Sequence, residues 1–300
     1  MMPRDALTKV FLFFIGGLLV LAGGMLLISF ILNQQTASTP ETPFPPEIRL
    51  DAEALTARAA IVYDPVTNRA LFSKNANEPL PLASLTKLMA AQAVLLEHPS
   101  DILVTISQES LRSEGDSGVR AGEVWSLYDL LMLGLVASSN DAMAAATGSV
   151  EGGVVEAMNR ATALLGLTET YFLNPTGLDL DLETSGAYGS AHDVAVLATA
   201  FMRHHSKFFE ATAKETVTIR AGGRVIEATS TASPLLSTYG FIGAKTGYTD
   251  LAGGNLVAAF DIAVGHPLVV VVLGSTHEGR FKDIRTLITA VHKEIEIKNI

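Results

Sequence analysis

The sequence predicts an α+β fold (α/β in the broad sense), in which an antiparallel sheet is assembled from both ends of one domain and a helical lobe is inserted between them. Two observations carry this prediction. Turn-bounded runs rich in apolar and β-branched residues open the domain near residue 59 and close it between about 216 and 274, whereas the stretch between them shows helix caps and helically spaced leucines. A third observation concerns what precedes the domain: residues 10–32 form 23 consecutive positions without a charge.

That run comes first in the chain. At about 1.5 Å per residue it spans roughly 35 Å, enough to cross a hydrocarbon layer of about 30 Å as a transmembrane helix. Arg4 and Lys9 precede it, and Glu41 and Glu47 follow. By the positive-inside rule, residues 1–9 are cytoplasmic, 10–32 form a single-pass signal anchor in the cell membrane, and the remainder is extracytoplasmic. A cleaved signal peptide is the competing reading, with Thr36-Ala37-Ser38 as its small-x-small site, but such apolar regions normally run only about 7–15 residues. Residues 33–50 carry Pro40, Pro43, Pro45 and Pro46 among Thr, Ser and Glu. Proline density favours an extended polyproline II stalk, which leads to a globular domain over 51–300.

Within that domain, residues 59–63, a turn from Asp64-Pro65 to Asn68, and residues 70–73 read as a β-hairpin. Residues 85–96 read as a helix. Ser126 and Asp129 have capping spacing, and Leu127, Leu130, Leu131 and Leu135 supply the apolar face that follows. Helices are also expected at about 141–148, 153–165 and 192–204, the last capped by Ser190 and Asp193. Strands return over 216–228, where Gly222-Gly223 makes a two-residue turn, and over 255–263 and 268–274. A final helix covers 279–295. The cleft between sheet and lobe is the expected place for a site.

Composition narrows the function. The 300 residues include 21 basic and 31 acidic side chains, a formal charge of −10, which argues against a general nucleic-acid partner. Hydrophobic residues make up 48% and charged ones 17%, and the mean hydropathy is +0.34; the 10–32 run accounts for much of that excess. The absence of cysteine excludes a disulfide framework, a thiolate zinc site, an iron–sulfur cluster and a cysteine nucleophile. Histidines are scattered apart from His204-His205, with no H-E-x-x-H, so no metal and no cofactor are expected. Gly115-Asp116-Ser117-Gly118 imitates a trypsin-like nucleophile segment, but that chemistry needs a histidine base on an all-β fold, and only His98 lies upstream. Residues 240–246 lack the Gly-Lys pair of a phosphate loop.

Three short elements carry chemistry. Ser84-Leu85-Thr86-Lys87 sits at the start of the first predicted helix of the domain, so Lys87 lies one turn from Ser84 on the same face. A serine hydroxyl needs an adjacent base, and a lysine serves when burial depresses its pKa. The helix N-terminus favours negative charge developing beside Ser84. Ser138-Ser139-Asn140 follows the Leu-rich helix, where hydroxyl and amide groups project from a turn. Lys245-Thr246-Gly247 falls on a predicted strand: a positive charge, a hydroxyl, and a glycine whose lack of a side chain lets a substrate backbone lie against the strand edge. Each alone reads equally well as a cap or an exposed strand residue.

Together, in this order, the three resemble the signature set of the penicillin-recognising serine enzymes, which include penicillin-binding proteins and class A β-lactamases. The resemblance is closest to the low-molecular-mass D-alanyl-D-alanine carboxypeptidases and extends over about residues 57–290. Ala83 to Met89, Ser139-Asn140-Asp141-Ala142, Met158-Asn159, Phe172 to Asp179, Ser190-Ala191-His192-Asp193 and Gly243 to Asp250 all look like that family's blocks. The resemblance implies a β-lactamase/transpeptidase-like fold and an extracytoplasmic enzyme. Its activity would be removal of the terminal D-alanine of peptidoglycan stem pentapeptides, with β-lactam antibiotics as acylating inhibitors. Ser84 would be the nucleophile and Lys87 its base. Ser138 and Lys245 would relay a proton to the leaving amine, Asn140 would hold the substrate amide, and Thr246 would meet the terminal carboxylate. Gly247 and Tyr248 complete the substrate strand, and the backbone N–H groups of Ser84 and Tyr248 would form the oxyanion hole.

Three features depart from the family pattern. Thr231-Ala232-Ser233 stands where an Asn-x-Asn segment is common, residues 113–122 differ from the expected Gly-Ser-Ser loop, and the chain stops at Ile300 without a second β-rich domain. A class A-like β-lactamase is the enzymatic alternative; it would need a glutamate four residues before an asparagine, whereas Glu169 precedes Asn174 by five. A catalytically silent peptidoglycan-binding scaffold is the non-enzymatic one, opposed by the intact Ser84, Lys87 and Lys245.

Overall fold

The computed structural model describes residues 45, 47–112, 118–148 and 150–297. These belong to a compact unit, Pro45–Ile300, separate from Met1–Phe44. The predicted transmembrane run and most of the stalk lie outside the described residues, as do positions 113–117 of the departing 113–122 loop, which include the first three residues of the trypsin-like segment. Among the described residues, no helix is long and apolar enough to cross a membrane.

The elements in chain order are β1 (Ala59–Asp64), β2 (Arg69–Lys74), β3 (Leu80–Pro81), α1 (Thr86–Glu97), β4 (Leu103–Thr105), β5 (Val124–Ser126), α2 (Leu127–Val136), α3 (Asn140–Thr147), α4 (Val154–Leu165), β6 (Tyr171–Phe172), β7 (Ala187–Gly189), α5 (Ala191–His204), α6 (Ser206–Ala211), β8 (Thr216–Ala221), β9 (Arg224–Thr229), β10 (Phe241–Thr249), β11 (Gly253–Ala263), β12 (His266–Ser275) and α7 (Gly279–Ile297). The main sheet has the order β10-β11-β12-β1-β2 and is antiparallel throughout. β1 pairs with β12, Ala59 lying opposite Leu273, so the two ends of the domain do meet in one sheet. β10 is an edge strand.

Side-chain alternation explains the layering. Ile61, Val257, Ala259, Val269 and Val271 enter one core with the helical lobe, while Ala60, Val62, Leu256, Ala258, Val270 and Val272 enter another. The second core is closed by α7, whose Phe281, Ile284, Leu287, Ile288 and Val291 form one apolar stripe. A sheet covered on both faces reads as an unbroken apolar run, which is why Leu268 to Leu273 shows no polar alternation. Ile48 is buried in the same core and its N–H donates to Leu71 O at 2.7 Å, so residues at the end of the predicted stalk pack on the domain.

Local chemistry sets the boundaries. Ser126 and Ser190 cap α2 and α5 as expected, accepting from Asp129 N and Asp193 N. Gly222 and Gly223 both have positive φ, which a two-residue turn between right-twisted strands requires. Two small sheets, β3-β7-β6 and β4-β5, and the short helix α6 were not predicted. Strands of two or three residues are too short to show a period, and Pro81 within β3 argues against a strand on sequence grounds.

Asp283, buried on α7, ties the layers together. Its carboxylate accepts from Thr56 N (3.0 Å), Ala57 N (2.9 Å) and Ser275 Oγ (2.7 Å), joining the approach to β1, the end of β12 and α7. Asp283→Ala strands these donors and is expected to lower unfolding free energy by about 2–4 kcal/mol in urea titrations. An unchanged midpoint would contradict this role.

Candidate active site

Ser84 lies in a 3-10 turn, Ala83–Leu85, that leads directly into α1, slightly ahead of the helix start that the sequence suggests. Ala83 holds φ +48°, an uncommon value for a residue with a Cβ. Its surroundings impose this conformation. A Cβ on Gly177 would fall 1.8 Å from Ala83 O, and one on Gly247 would fall 3.0 Å from Leu82 O and 3.1 Å from Ser84 N. Asn255, fully buried on β11, donates from Nδ2 to Pro81 O at 2.8 Å and accepts from Gly274 N at 2.8 Å. The Ser84 turn is therefore clamped between β10, β11 and the 174–178 loop. Gly247 is needed for this close packing, a reason different from the substrate access expected from sequence.

Lys87, in the first turn of α1, is fully buried. Its Nζ lies 2.7 Å from Ser84 Oγ, 2.7 Å from Asn140 Oδ1 and 3.1 Å from Thr176 O. It forms no ion pair among the described residues, and burial pushes its pKa down to about 7. A neutral amine has two N–H groups and one lone pair. Asn140 and Thr176 take the two hydrogens, which leaves the lone pair facing the Ser84 hydroxyl. The loop that presents the Thr176 carbonyl is organised by Asn174, whose Oδ1 accepts from Thr176 N (3.1 Å) and Gly177 N (2.7 Å) while Nδ2 donates to Leu178 O (2.8 Å).

Ser138 sits between the last residues of α2 and Ser139, which caps α3 by accepting from Ala142 N at 3.0 Å. At φ +61° Ser138 turns its hydroxyl toward β10, where Lys245 Nζ donates to it at 2.7 Å and to Thr246 O at 2.8 Å. Lys245 is buried too, and its pKa lies well below the usual lysine range, first through burial and then through the positive charges of Lys87 and Arg280. Thr246 Oγ1 lies 2.7 Å from Thr231 Oγ1. Thus the segment that departs from the family pattern supplies a hydroxyl partner to the strand motif. Tyr248 is half exposed at the rim, edge-on to His277 with ring centroids 5.1 Å apart.

The structure brings Ser84, Lys87 and Asn140 into one hydrogen-bonded group and Ser138, Lys245 and Thr246 into a second, joined through the Ser138-Ser139-Asn140 turn. Arg280 was missed. Buried at the start of α7, it donates to Gly247 O at 2.7 Å. No local pattern marks it, because only closure of the sheet brings α7 beside β10. Glu169 is exposed, with its N–H bound to Asp193, and Asn174 is committed to its own loop, so the pair a class A-like enzyme would use is not assembled. No group of three or more metal-ligating side chains is present among the described residues.

Known proteins resemble this chain in sequence and in fold. Residues 46–277 match the family described as D-alanyl-D-alanine carboxypeptidase (Peptidase S11). The chain is 31% identical over 240 residues to a D-alanyl-D-alanine endopeptidase of Pseudomonas aeruginosa, covering 77% of this chain and 76% of the relative. It is 28% identical over 287 residues to the carboxypeptidase DacD of Escherichia coli, covering 90% and 70% respectively. The ampicillin-bound penicillin-binding protein D2 of Listeria monocytogenes superposes with a TM-score of 0.68 at 30% identity, over 81% of this chain and 98% of that one.

Two predictions follow from the site itself. Only neutral Lys87 can take a proton, so acylation of Ser84 should rise with pH and level off above about 7. Below that point it should fall about tenfold per pH unit; a flat stopped-flow profile would exclude Lys87 as base. Gly247→Ala forces a methyl against the Ser84 turn, and we expect acylation to slow by at least about tenfold with a stability loss of about 1–3 kcal/mol.

Proposed function

The chain belongs to the D-alanyl-D-alanine carboxypeptidase family of serine-type peptidases, and from that premise we propose that it removes the terminal D-alanine of peptidoglycan stem pentapeptides through a Ser84 acyl-enzyme. We propose further that residues 10–32 hold it in the cell membrane, with the catalytic unit outside. The observation that carries the catalytic reading is the Lys87 amine, whose two hydrogens have acceptors other than serine and whose lone pair is left for the Ser84 proton.

In the proposed sequence, Ser84 Oγ attacks the carbonyl carbon of the penultimate D-alanine as its proton passes to Lys87 Nζ. Negative charge develops on the carbonyl oxygen, within reach of the Ser84 N–H and the N–H of Tyr248 on the strand packed against it. The C–N bond then breaks as the departing amine takes a proton from the Ser138 hydroxyl, which lies 2.7 Å from Lys245 Nζ; the proton that Lys87 took from Ser84 makes good that loss, so both lysines end the step as they began it. An ester on Ser84 remains. Water attacks it, its proton passing to the neutral Lys87 amine and from there to Ser84 Oγ as the acyl C–O bond breaks, which releases the carboxylic acid and regenerates Ser84.

The substrate's own chemistry fits this edge. β10 is an edge strand whose Ala244 N–H is taken by Thr212 Oγ1, and an extended peptide can add along the part of the edge beyond it. A terminal carboxylate meets the hydroxyls of Thr246 and Thr231 in the positive field of Lys245 and Arg280. A β-lactam presents the same acyl carbon and carboxylate, so it would acylate Ser84 and serve as an inhibitor. Cleavage of cross-linked stems is a second reading, favoured by the likeness to an endopeptidase; it shares the acylation step and differs in the amine released.

Incubation with a stem pentapeptide ending in D-Ala-D-Ala should release D-alanine. Ser84→Ala should abolish both release and labelling by fluorescent penicillin, and Lys87→Ala should slow acylation by about 10²–10⁴-fold. Absence of released D-alanine from the intact protein would refute the carboxypeptidase reading, and release only from cross-linked dimers would establish the second one.

A further inference from the structure

The outer face of α7, turned away from the sheet, carries a feature that catalysis does not use. With the first residues of the described unit it encloses an open groove of about 440 Å³, lined by Arg49, Lys282, Arg285 and Lys293 together with the hydroxyls of Thr286 and Thr289. All four cations are exposed, and none forms an ion pair among the described residues. Arg285 makes one neutral contact, donating to Pro234 O at 3.2 Å. No carboxylate lines the groove, although the chain as a whole carries a net charge of −10. Four convergent positive groups with two hydroxyls suit a phosphate ester.

We propose that this groove docks the domain on the phosphate headgroups of an anionic phospholipid surface. The occupant is argued from the chain itself. Arg49 and Leu50 form one wall, so the groove lies within a few residues of Pro45, where the described unit begins, and the charge-free run 10–32 lies a proline-rich segment upstream. A tether of that length holds the groove at high effective concentration beside whatever bilayer receives the run. Juxtamembrane cations gain further from the negative surface potential, an attraction that vanishes over a Debye length. This inference rests on the membrane anchoring proposed above, and its test is confined to bilayers that already carry the protein.

The full chain is reconstituted in nanodiscs of phosphatidylcholine, with or without phosphatidylglycerol, and lysine acylation by a water-soluble amine reagent is followed by mass spectrometry. Lys282 and Lys293 should label at least about threefold more slowly in the anionic discs. Salt at about 0.5 M, where the Debye length is roughly 4 Å, should remove the protection. Lys207 and Lys214, exposed on the helical-lobe side, should label equally in both. Arg49→Glu with Arg285→Glu should abolish the protection while D-alanine release from a soluble peptide continues. Equal labelling of Lys282 and Lys293 in the two disc types would overturn the proposal. So would protection by soluble glycerol phosphate in neutral discs, which would assign the groove to a free phosphate ester.

Discussion

Two buried lysines that form no ion pair among the described residues are the constraint on which the rest of the catalytic unit depends. Bringing Lys87 to a pKa of about 7 means that its pocket disfavours the ammonium form, relative to water, by roughly 5 kcal/mol. Such an environment exists only while the helical lobe is closed on the sheet. Lys87 comes from α1, its acceptors from the start of α3 and from the 174–178 loop, and the second lysine from the edge strand β10. Burial lowers the Lys245 pKa most, and the neighbouring Lys87 and the Arg280 guanidinium lower it further. Catalysis and packing are therefore one arrangement viewed from two sides.

Backbone strain is distributed in the same way. Among the described residues, four other than glycine have positive φ, and two of them, Ala83 and Ser138, flank or form the site. Each such conformation costs on the order of 1–3 kcal/mol and persists only where neighbours over-determine it. The neighbours here are identifiable: Gly177 and Gly247 leave no room for the Ala83 turn to relax, and Asn255 fixes the carbonyl that precedes it. The two well-packed faces of the sheet absorb the cost.

Much of this was legible in the sequence because the informative residues are close together in it. Ser84 and Lys87 are one turn apart, and Ser126 and Ser190 are caps readable from their own acidic partners. The hairpin at Gly222-Gly223 needs only the local twist of two strands. What stayed hidden depends on long-range closure. Nothing around Arg280 distinguishes it from a surface arginine until β10 lies beside α7, and Thr231 looked like a simple departure until Thr246 was placed opposite it. The minor sheets escaped because two paired residues carry no period. The motif glycine was recognised, but its physical reason could only be found once the turn it packs against had been placed.

The pairing of β1 with β12 also sets an order of events. Ala59 leaves the biosynthetic machinery long before its partner Leu273, and the edge strand bearing Lys245 joins the sheet through β11 and β12. Contacts of such high sequence separation form slowly, because the loop between them must be closed before any pairing is gained. The β1–β2 hairpin therefore waits, with its central-strand edge open, until nearly the whole domain has been made. A nascent or truncated chain holds Ser84 and Lys87 but lacks the strand against which the Ser84 turn is set. The Ser84 turn is thus fully set only when synthesis of the domain is almost complete.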